Sequence, residues 1–390
     1  MDRRPLRIAI ACYPTAGGSG VVATELGRAL HARGHDIHFV ASSKPFRFPG
    51  DGERMRFHPV TIPSYYVFQI PSYGMSTACV LSDIAERYAI DLFHVHYAYP
   101  HAVSGFLANQ MTRGRNPAVV TTLHGTDITL AREQPCHERL VRFALEQSHG
   151  ITAVSGYLAE ETRRIFDLDR DIRVVHNWVD PEAFRPAISD DVRRGFAPAG
   201  ELLIVHVSNF RPIKRPIDVI ETFRAVRAEL PARLLLVGDG PELPAVREHA
   251  ARCGLAADVI YAGERRDLAE TVAAGDLFLL TSEHEGFGLA ALEAMACGLP
   301  VVASRCGGIQ EVVRDGQDGF LAPVGQVSAL AAACVRLGRD PELRLRLGAS
   351  ARRRAVESFG PDRGVRAYED YYYEVLERVG STADCRSGAV

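Results

Sequence analysis

Lysine is almost missing from this 390-residue chain: of 45 basic residues only Lys44 and Lys214 are lysines, and the rest are arginine. A chain so biased uses arginine wherever any cation will serve, so each lysine invites a specific reason. Excess charge is missing as well. The 45 basic and 48 acidic residues leave a net charge of −3. This excludes a nucleic-acid binder relying on bulk positive charge, though not a local basic cleft. No apolar run approaches the length that crosses a bilayer. The opening Met1-Asp2-Arg3-Arg4-Pro5 enters a strand-like run without the apolar h-region of a signal peptide. Paired cysteines are absent too. The eight at 12, 79, 136, 253, 297, 306, 334 and 385 form no CxxC, and several lie in apolar runs. That argues against a disulfide framework or zinc ribbon and for buried, reduced thiols in a cytoplasmic protein.

What is present is an ordinary globular composition, 47% hydrophobic and 24% charged, in a chain long enough for two domains. Strand-like runs at Leu6–Cys12, Asp36–Ala41, Met55–Ile62, Asp91–Val95, Ala118–Leu123 and Ile151–Val154 alternate with helix-like segments at Gly20–Arg33, Ser76–Tyr88, Pro100–Arg113 and Cys136–Ser148. Such alternation implies βαβ units and a mostly parallel sheet covered on both faces. It breaks at a proline-bearing stretch and restarts with strands at Leu202–Ser208, Arg233–Gly238, Asp258–Ala262, Leu277–Ser282 and Pro300–Ala303. The helices there are expected at Ile217–Leu230, Pro241–Cys253, Leu289–Cys297 and Ser328–Arg339. The reading is α/β: a doubly wound domain over 1–180, a linker over 181–198, a second such domain over 199–360, a helix over 361–380 and a disordered tail over 381–390. Two Rossmann-like domains would face each other across a cleft at the carboxyl ends of both sheets. The tyrosine-bearing face of the last helix would pack back on the first domain.

Two loops carry chemistry. Gly17-Gly18-Ser19-Gly20 follows the first strand and opens a helix, so backbone can approach an anion at the helix N-terminus. Gly18, Gly20 and Ala23 formally satisfy GxGxxA, a dinucleotide fingerprint. That reading requires an acid at the end of the second strand, where this chain has Ser42-Ser43-Lys44. A tight turn with no ligand is the plain alternative. The stronger signal is Ser282-Glu283-His284-Glu285-Gly286-Phe287-Gly288-Leu289, running into a helix that contains Glu293. Backbone N–H groups at 287–289 would face a phosphate. Glu293 lies about 7.5 Å further along the helix axis, a suitable offset for ribose hydroxyls. Glu285 at the mouth could accept from a sugar hydroxyl. A solvated, charged turn is the alternative. Asn209-Phe210-Arg211-Pro212-Ile213-Lys214 follows the first strand of the second domain, and a compact ammonium at a leaving diphosphate would explain why Lys214 is not arginine. A surface lysine would need no such role. Asp167-Leu168-Asp169 reads as a solvated turn, and His94, His96, His101 and His124 lack a nearby cysteine or carboxylate to complete a metal set. Tyr65-Tyr66-Val67-Phe68 with Tyr73 could line a pocket or a subunit contact.

The Glu285–Glu293 segment resembles the E-x7-E motif of family 4 retaining glycosyltransferases, whose fold is GT-B. The resemblance covers nearly the whole chain. Through Ile8–Gly20, His94–Ala102, Val120–Thr129, His206–Arg215 and Leu235–Glu242 it is most similar to the N-acetylglucosaminyl-malate synthases of bacillithiol biosynthesis. The resemblance implies transfer of N-acetylglucosamine from UDP-GlcNAc to L-malate with no metal and no other cofactor. It implies donor contacts from Gly18, Gly20, Asn209, Arg211, Lys214, Glu285, Phe287, Gly288, Leu289 and Glu293. It likewise implies acceptor contacts from Ser19, Tyr97, Thr122 and Arg142, a place for His124 near the transferred sugar, and a catalytic set of His124, Arg211, Lys214 and Glu285. The superfamily's usual arginine is replaced here by Asn209, with Arg211 two positions on. Competing readings are another acceptor (an inositol phosphate, a sugar or a lipid headgroup), a nicotinamide oxidoreductase, and a nucleotide-sugar sensor without catalysis.

Overall fold

The computed structural model describes residues 3–15, 17–62, 72–114, 116–186, 190–265 and 267–387, so the aromatic stretch Tyr65–Phe68 lies outside the described residues. The chain divides into two compact units, Met1–His176 with Asp362–Val390, and Asn177–Pro361. The first holds strands β1 (Arg7–Ala11), β2 (Asp36–Ala41), β3 (Met55–Pro59), β4 (Leu92–His96), β5 (Ala118–Leu123), β6 (Gly150–Ala153) and β7 (Arg173–Val174). They form one parallel sheet in the order β3-β2-β1-β4-β5-β6-β7. The second holds β8 (Leu202–Val207), β9 (Ala232–Val237), β10 (Val259–Gly263), β11 (Leu277–Leu280), β12 (Val301–Ser304) and β13 (Gly319–Ala322). Their order, β10-β9-β8-β11-β12-β13, repeats the same plan. Central strands such as Leu92–His96 and Ala118–Leu123 are buried at every residue, as a parallel sheet with both faces covered requires.

In both sheets the order reverses between the first strand and its later neighbour, β1 beside β4 and β8 beside β11. Connections leave in opposite directions there, so the strand ends open a crevice, the place where such sheets take ligands. All four strands end in segments singled out from sequence: Gly17–Gly20, Tyr97, Asn209–Lys214 and Ser282–Gly288.

The last helix, Pro361–Ser387, belongs to the first unit. Tyr368, Tyr371, Tyr372 and Val375 are buried on one face. The Tyr371 hydroxyl accepts from the Ile151 N–H at 3.0 Å and lies 3.2 Å from the Ile151 carbonyl, so one phenol covers both polar groups of a β6 residue. The helix continues to Ser387, past the end expected near residue 380, because no proline stops it. Residues 177–186 and 190–198 pack within the second unit rather than standing apart. Val179 donates to the Phe359 carbonyl, and Arg193 pairs with Asp276 at 2.8 Å. Elements that the sequence pattern left out include β7, β13 and the helices Gly156–Phe166 and Pro341–Ser358. No described helix is long and apolar enough to cross a membrane.

Candidate active site

In the second unit the site is built at the ends of β8 and β11. The Lys214 ammonium lies 2.6 Å from Glu285 Oε1, with the two side chains 20% and 9% exposed. Ser282 donates to the same oxygen at 2.7 Å. Backbone stitching sets this pair. Thr281 Oγ1 lies 3.0 Å from the carbonyls of Lys214 and Arg215, and the Glu283 N–H donates to the Ile213 carbonyl at 2.8 Å. The backbone of the lysine loop is thus tied to the neighbouring strand end. Behind Glu285, the Gly308 N–H donates to its carbonyl at 2.9 Å, and any Cβ at Gly307 would collide with that same carbonyl. The Cys306-Gly307-Gly308 turn is therefore a backbone buttress for the Glu285–Gly288 loop.

Gly288, at φ +98°, caps the helix Leu289–Ala296, and Glu293 lies buried within it. The Phe287 side chain is buried in the core against Phe359, so its ring offers nothing to a ligand. Asn209 and Arg211 are exposed at the mouth, separated by buried Phe210, whose φ of +38° is unusual for a side chain of that size. Beneath them, His206 donates from Nδ1 to the Leu279 carbonyl at 2.9 Å, leaving Nε2 to accept from Ser208 Oγ at 2.8 Å. Burial pushes the His206 pKa down to about 4, so this brace between β8 and β11 is neutral.

In the first unit the glycine loop meets the end of β4. The Tyr97 hydroxyl donates to Ser19 Oγ at 2.7 Å. Tyr97 holds φ at +82°, a costly setting for an aromatic residue and one that clusters at functional sites. Gly20 must be glycine, because a Cβ there would run into the Thr15 carbonyl. His124, after β5, packs its ring on Tyr97 and sits with Nε2 2.8 Å from His96 Nδ1. Burial pushes the His124 pKa down to about 3 and that of His96 well below its ordinary value, so both rings are neutral. His96 Nε2 is buried with no hydrogen-bond partner among the described residues. A buried lone pair left unmet is cheaper than a buried N–H. The proton of His96 therefore sits on Nδ1 and donates to His124, which leaves the His124 proton on its own Nδ1. His124 is thereby set as a neutral hydrogen-bond donor.

Two residues here, Asp127 and Tyr13, escaped sequence reasoning. Buried Asp127 accepts from the Ala98 and His124 N–H groups at 2.6 and 3.1 Å and so ties the turns after β4 and β5. Its pKa is raised to about 6 by burial, against the pull of those bonds. His101 holds the His96 carbonyl and the Tyr73 hydroxyl, and Tyr13 stacks on Tyr73. An HGTD string and aromatic residues beside a glycine loop were the available signals. Two expected acceptor contacts are not gathered with Ser19 and Tyr97. The Thr122 hydroxyl is fully buried between His94 at 2.6 Å and Thr152 at 2.6 Å, which makes it part of the core. Arg142 is exposed on the helix Pro135–Gln147 and pairs with Glu146 at 2.8 Å. Lys44 is exposed and lies 3.5 Å from Asp51.

Two parallel doubly wound units with a glycine loop in the first and a Lys–Glu pair at a helix head in the second define a nucleotide-sugar glycosyltransferase of GT-B type. Sequence profiles agree: one described as Glycosyltransferase Family 4 matches residues 16–183, and one described as Glycosyl transferases group 1 matches 201–340. The N-acetyl-alpha-D-glucosaminyl L-malate synthase of Bacillus anthracis is 42% identical over 95% of this chain and 97% of its own. This chain belongs to the family 4 glycosyltransferases. Among solved structures, sucrose-phosphate synthase from Thermosynechococcus elongatus superposes with a TM-score of 0.81 at 24% identity, over 96% of this chain and all of that one. The Anabaena protein HepE, solved with UDP-glucose, gives 0.78 at 20% identity, over 96% of this chain and all of its own. Both likenesses are of fold.

Proposed function

We propose that this enzyme transfers N-acetylglucosamine from UDP-GlcNAc to the hydroxyl of L-malate with retention, releasing UDP, as the first step of bacillithiol assembly in the cytoplasm. What carries the reading is the Lys214 ammonium, bonded to Glu285 at the head of the helix that holds Glu293, on a loop whose backbone Thr281 ties to the neighbouring strand end. The likeness to the Bacillus anthracis synthase supports the choice of sugar and acceptor. The second unit holds the donor, with Glu293 accepting from the ribose hydroxyls and the Gly286–Leu289 backbone meeting the diphosphate. Lys214 and Arg211 supply the positive charge at the leaving oxygens, so no metal is needed. Lys214 then exchanges part of its bond to Glu285 for phosphate, which frees that carboxylate for a sugar hydroxyl.

The first unit holds malate through Ser19 and Tyr97. Arg142 is drawn from its exposed Glu146 partner, a weak competitor in water, to a malate carboxylate. His124, with its proton on Nδ1, donates to a hydroxyl or the acetamido oxygen of the sugar. The C1–O bond breaks with the electron pair going to the β-phosphate oxygen. Malate's hydroxyl oxygen bonds C1 from the same face, and its proton passes to that departing oxygen. The products are UDP and an α-glycoside. The test is UDP release from UDP-GlcNAc across malate, inositol phosphates, simple sugars and lipid headgroups, with NMR of the anomeric proton. Malate-dependent release with an α-anomeric product is expected. Turnover only with another acceptor, or a β-product, would overturn the proposal.

A further inference from the structure

On the outer helices of the second unit, away from the loops described above, three metal-ligating side chains meet. Glu221 lies on the helix Pro216–Glu229, His249 on the helix Leu243–Arg252, and Cys253 at that helix's C-terminal cap. His249 and Cys253 are four residues apart, hence on one face. Glu221 Oε1, His249 Nε2 and Cys253 Sγ all lie within 4.8 Å of one another. The separations are 2.6 Å for oxygen to nitrogen, 3.9 Å for sulfur to oxygen and 3.8 Å for sulfur to nitrogen. Tetrahedral zinc with ordinary bond lengths spaces such ligand atoms by roughly 3.3–3.6 Å. The sulfur is thus already placed, and only the His–Glu hydrogen bond must open, by under an ångström or so.

We propose that Glu221, His249 and Cys253 form a transition-metal site, selective for zinc, with water in the fourth position. Thiolate, imidazole and carboxylate together suit zinc rather than magnesium or calcium. Charge and protons balance. The thiol gives up one proton to solvent, the His249 proton moves from Nε2 to Nδ1, and thiolate plus carboxylate neutralise the dication. Arg224 donates from Nε and Nη2 to Glu221 Oε2 at 2.9 and 2.7 Å, which orients the carboxylate and leaves Oε1 for the ion. Arg252, 3.4 Å from His249 Nδ1 and two-thirds exposed, swings aside as that nitrogen gains its proton. The two helices follow β8 and β9, and the loops at their starts are tied by the Glu242 N–H to the Phe210 carbonyl at 2.9 Å. An ion here would staple the frame behind the Asn209–Lys214 loop. Its role is bracing, and it takes no part in the reaction.

The full-length protein, stripped with chelator and kept reduced, is titrated with Co2+ and then Zn2+. One equivalent of Co2+ should give a thiolate charge-transfer band and tetrahedral d–d bands that Zn2+ bleaches, and Zn2+ should raise Tm. Cys253→Ser should abolish the charge-transfer band and the Tm rise. Glu221→Gln and His249→Gln should each weaken binding at least tenfold. Cys136→Ser, which removes the other cysteine with an adjacent histidine, should change nothing. A band that survives Cys253→Ser or is lost in Cys136→Ser, a purely octahedral spectrum, or an unmoved Tm would overturn the proposal. The stripped protein should retain UDP release; loss of that activity on chelation, restored by Zn2+, would overturn the bracing role. The spectra do not depend on which sugar or acceptor the enzyme uses.

Discussion

Replacing Lys214 by methionine separates a structural ion pair from a catalytic cation. The side chain keeps its length and loses its charge, leaving Glu285 held by Ser282 alone. Removing one partner of a buried pair costs about 3–5 kcal/mol. Lys214 is 20% exposed and Glu285 retains the Ser282 hydroxyl, so about 2 kcal/mol is the reasonable figure here. For a unit of this size that lowers Tm by roughly 4–8 °C. Adding Glu285→Gln removes the stranded charge and should return most of the lost Tm. Turnover should behave differently. A cation aimed at charge that develops in the transition state is worth about 10²–10³ in kcat, and the double variant regains none of it because no ammonium is restored. The assay is UDP release under saturating donor and malate, beside thermal melts of wild type, both single variants and the double. A single variant with wild-type kcat, or a double variant whose kcat recovers with its Tm, would mean that Lys214 is a strut, and the leaving-group argument would fail.

Glu293→Gln keeps the volume of a buried side chain but loses the charge that a ribose hydroxyl would see. UDP affinity should fall roughly tenfold or more by calorimetry with malate KM unchanged, and an unaltered UDP affinity would refute the ribose role. Arg142→Ala, on an exposed side chain, should leave Tm unmoved and raise the malate KM selectively; equal losses for both substrates would argue against acceptor contact. Acid should destabilise both units. Burial pushes the pKa of His94 to about 3 and of His101 and His206 to about 4, all below their unfolded values. The stability that these neutral rings contribute is therefore complete above roughly pH 6.5 and is lost as pH falls through the folded values. At pH 5 each costs about 2 kcal/mol. Urea midpoints should drop clearly between pH 7.5 and pH 5, and equal midpoints would refute the assignment of buried, neutral histidines.

The two sheets were legible because parallel strands buried on both faces are written as unbroken apolar runs, and Asp36–Ala41 and Ala118–Leu123 were placed to the residue. The two-residue β7 was not, since Arg173-Val174 carries no period. The helix Pro341–Ser358 was hidden by the arginines that interrupt its apolar period, of which Arg344, Arg352 and Arg354 are half-buried. The scarcity of lysine drew attention to two residues that the fold treats differently: Lys214 is half-buried and bonded to Glu285, whereas Lys44 is a surface residue near Asp51. Thr122 shows the limit of reading by position. The family resemblance implied a ligand contact there, but alternation along β5 turns the hydroxyl into the core towards Tyr368, a residue 246 positions away. The Glu285 buttress was equally invisible, because Cys306-Gly307-Gly308 is an ordinary turn until the fold lays it against the Glu285 carbonyl.

The same sheet plan solves two different problems at its two switch points. At β8 and β11 the segments carry fixed charge, and every contact there limits motion: Thr281 on the lysine loop, Gly307 behind the glutamate, His206 across the strands. On the proposed reading Lys214 stabilises a departing diphosphate, and such a cation must already be in place when charge develops. At β1 and β4 the segments carry hydroxyls and aromatic rings, with Tyr97 in a strained backbone setting against Ser19 and a neutral His124 oriented by His96. These groups have no net charge of their own, and Arg142 stands apart on an exposed helix. A small dianionic acceptor would therefore be positioned by neutral donors and recognised by a cation that moves to it. Lys214, Glu285 and Glu293 stood out from their spacing and residue type, whereas Ser19, Tyr97, Thr122 and Arg142 rested on the family resemblance, and of these four the fold joins Ser19 to Tyr97 and leaves Arg142 on an exposed helix.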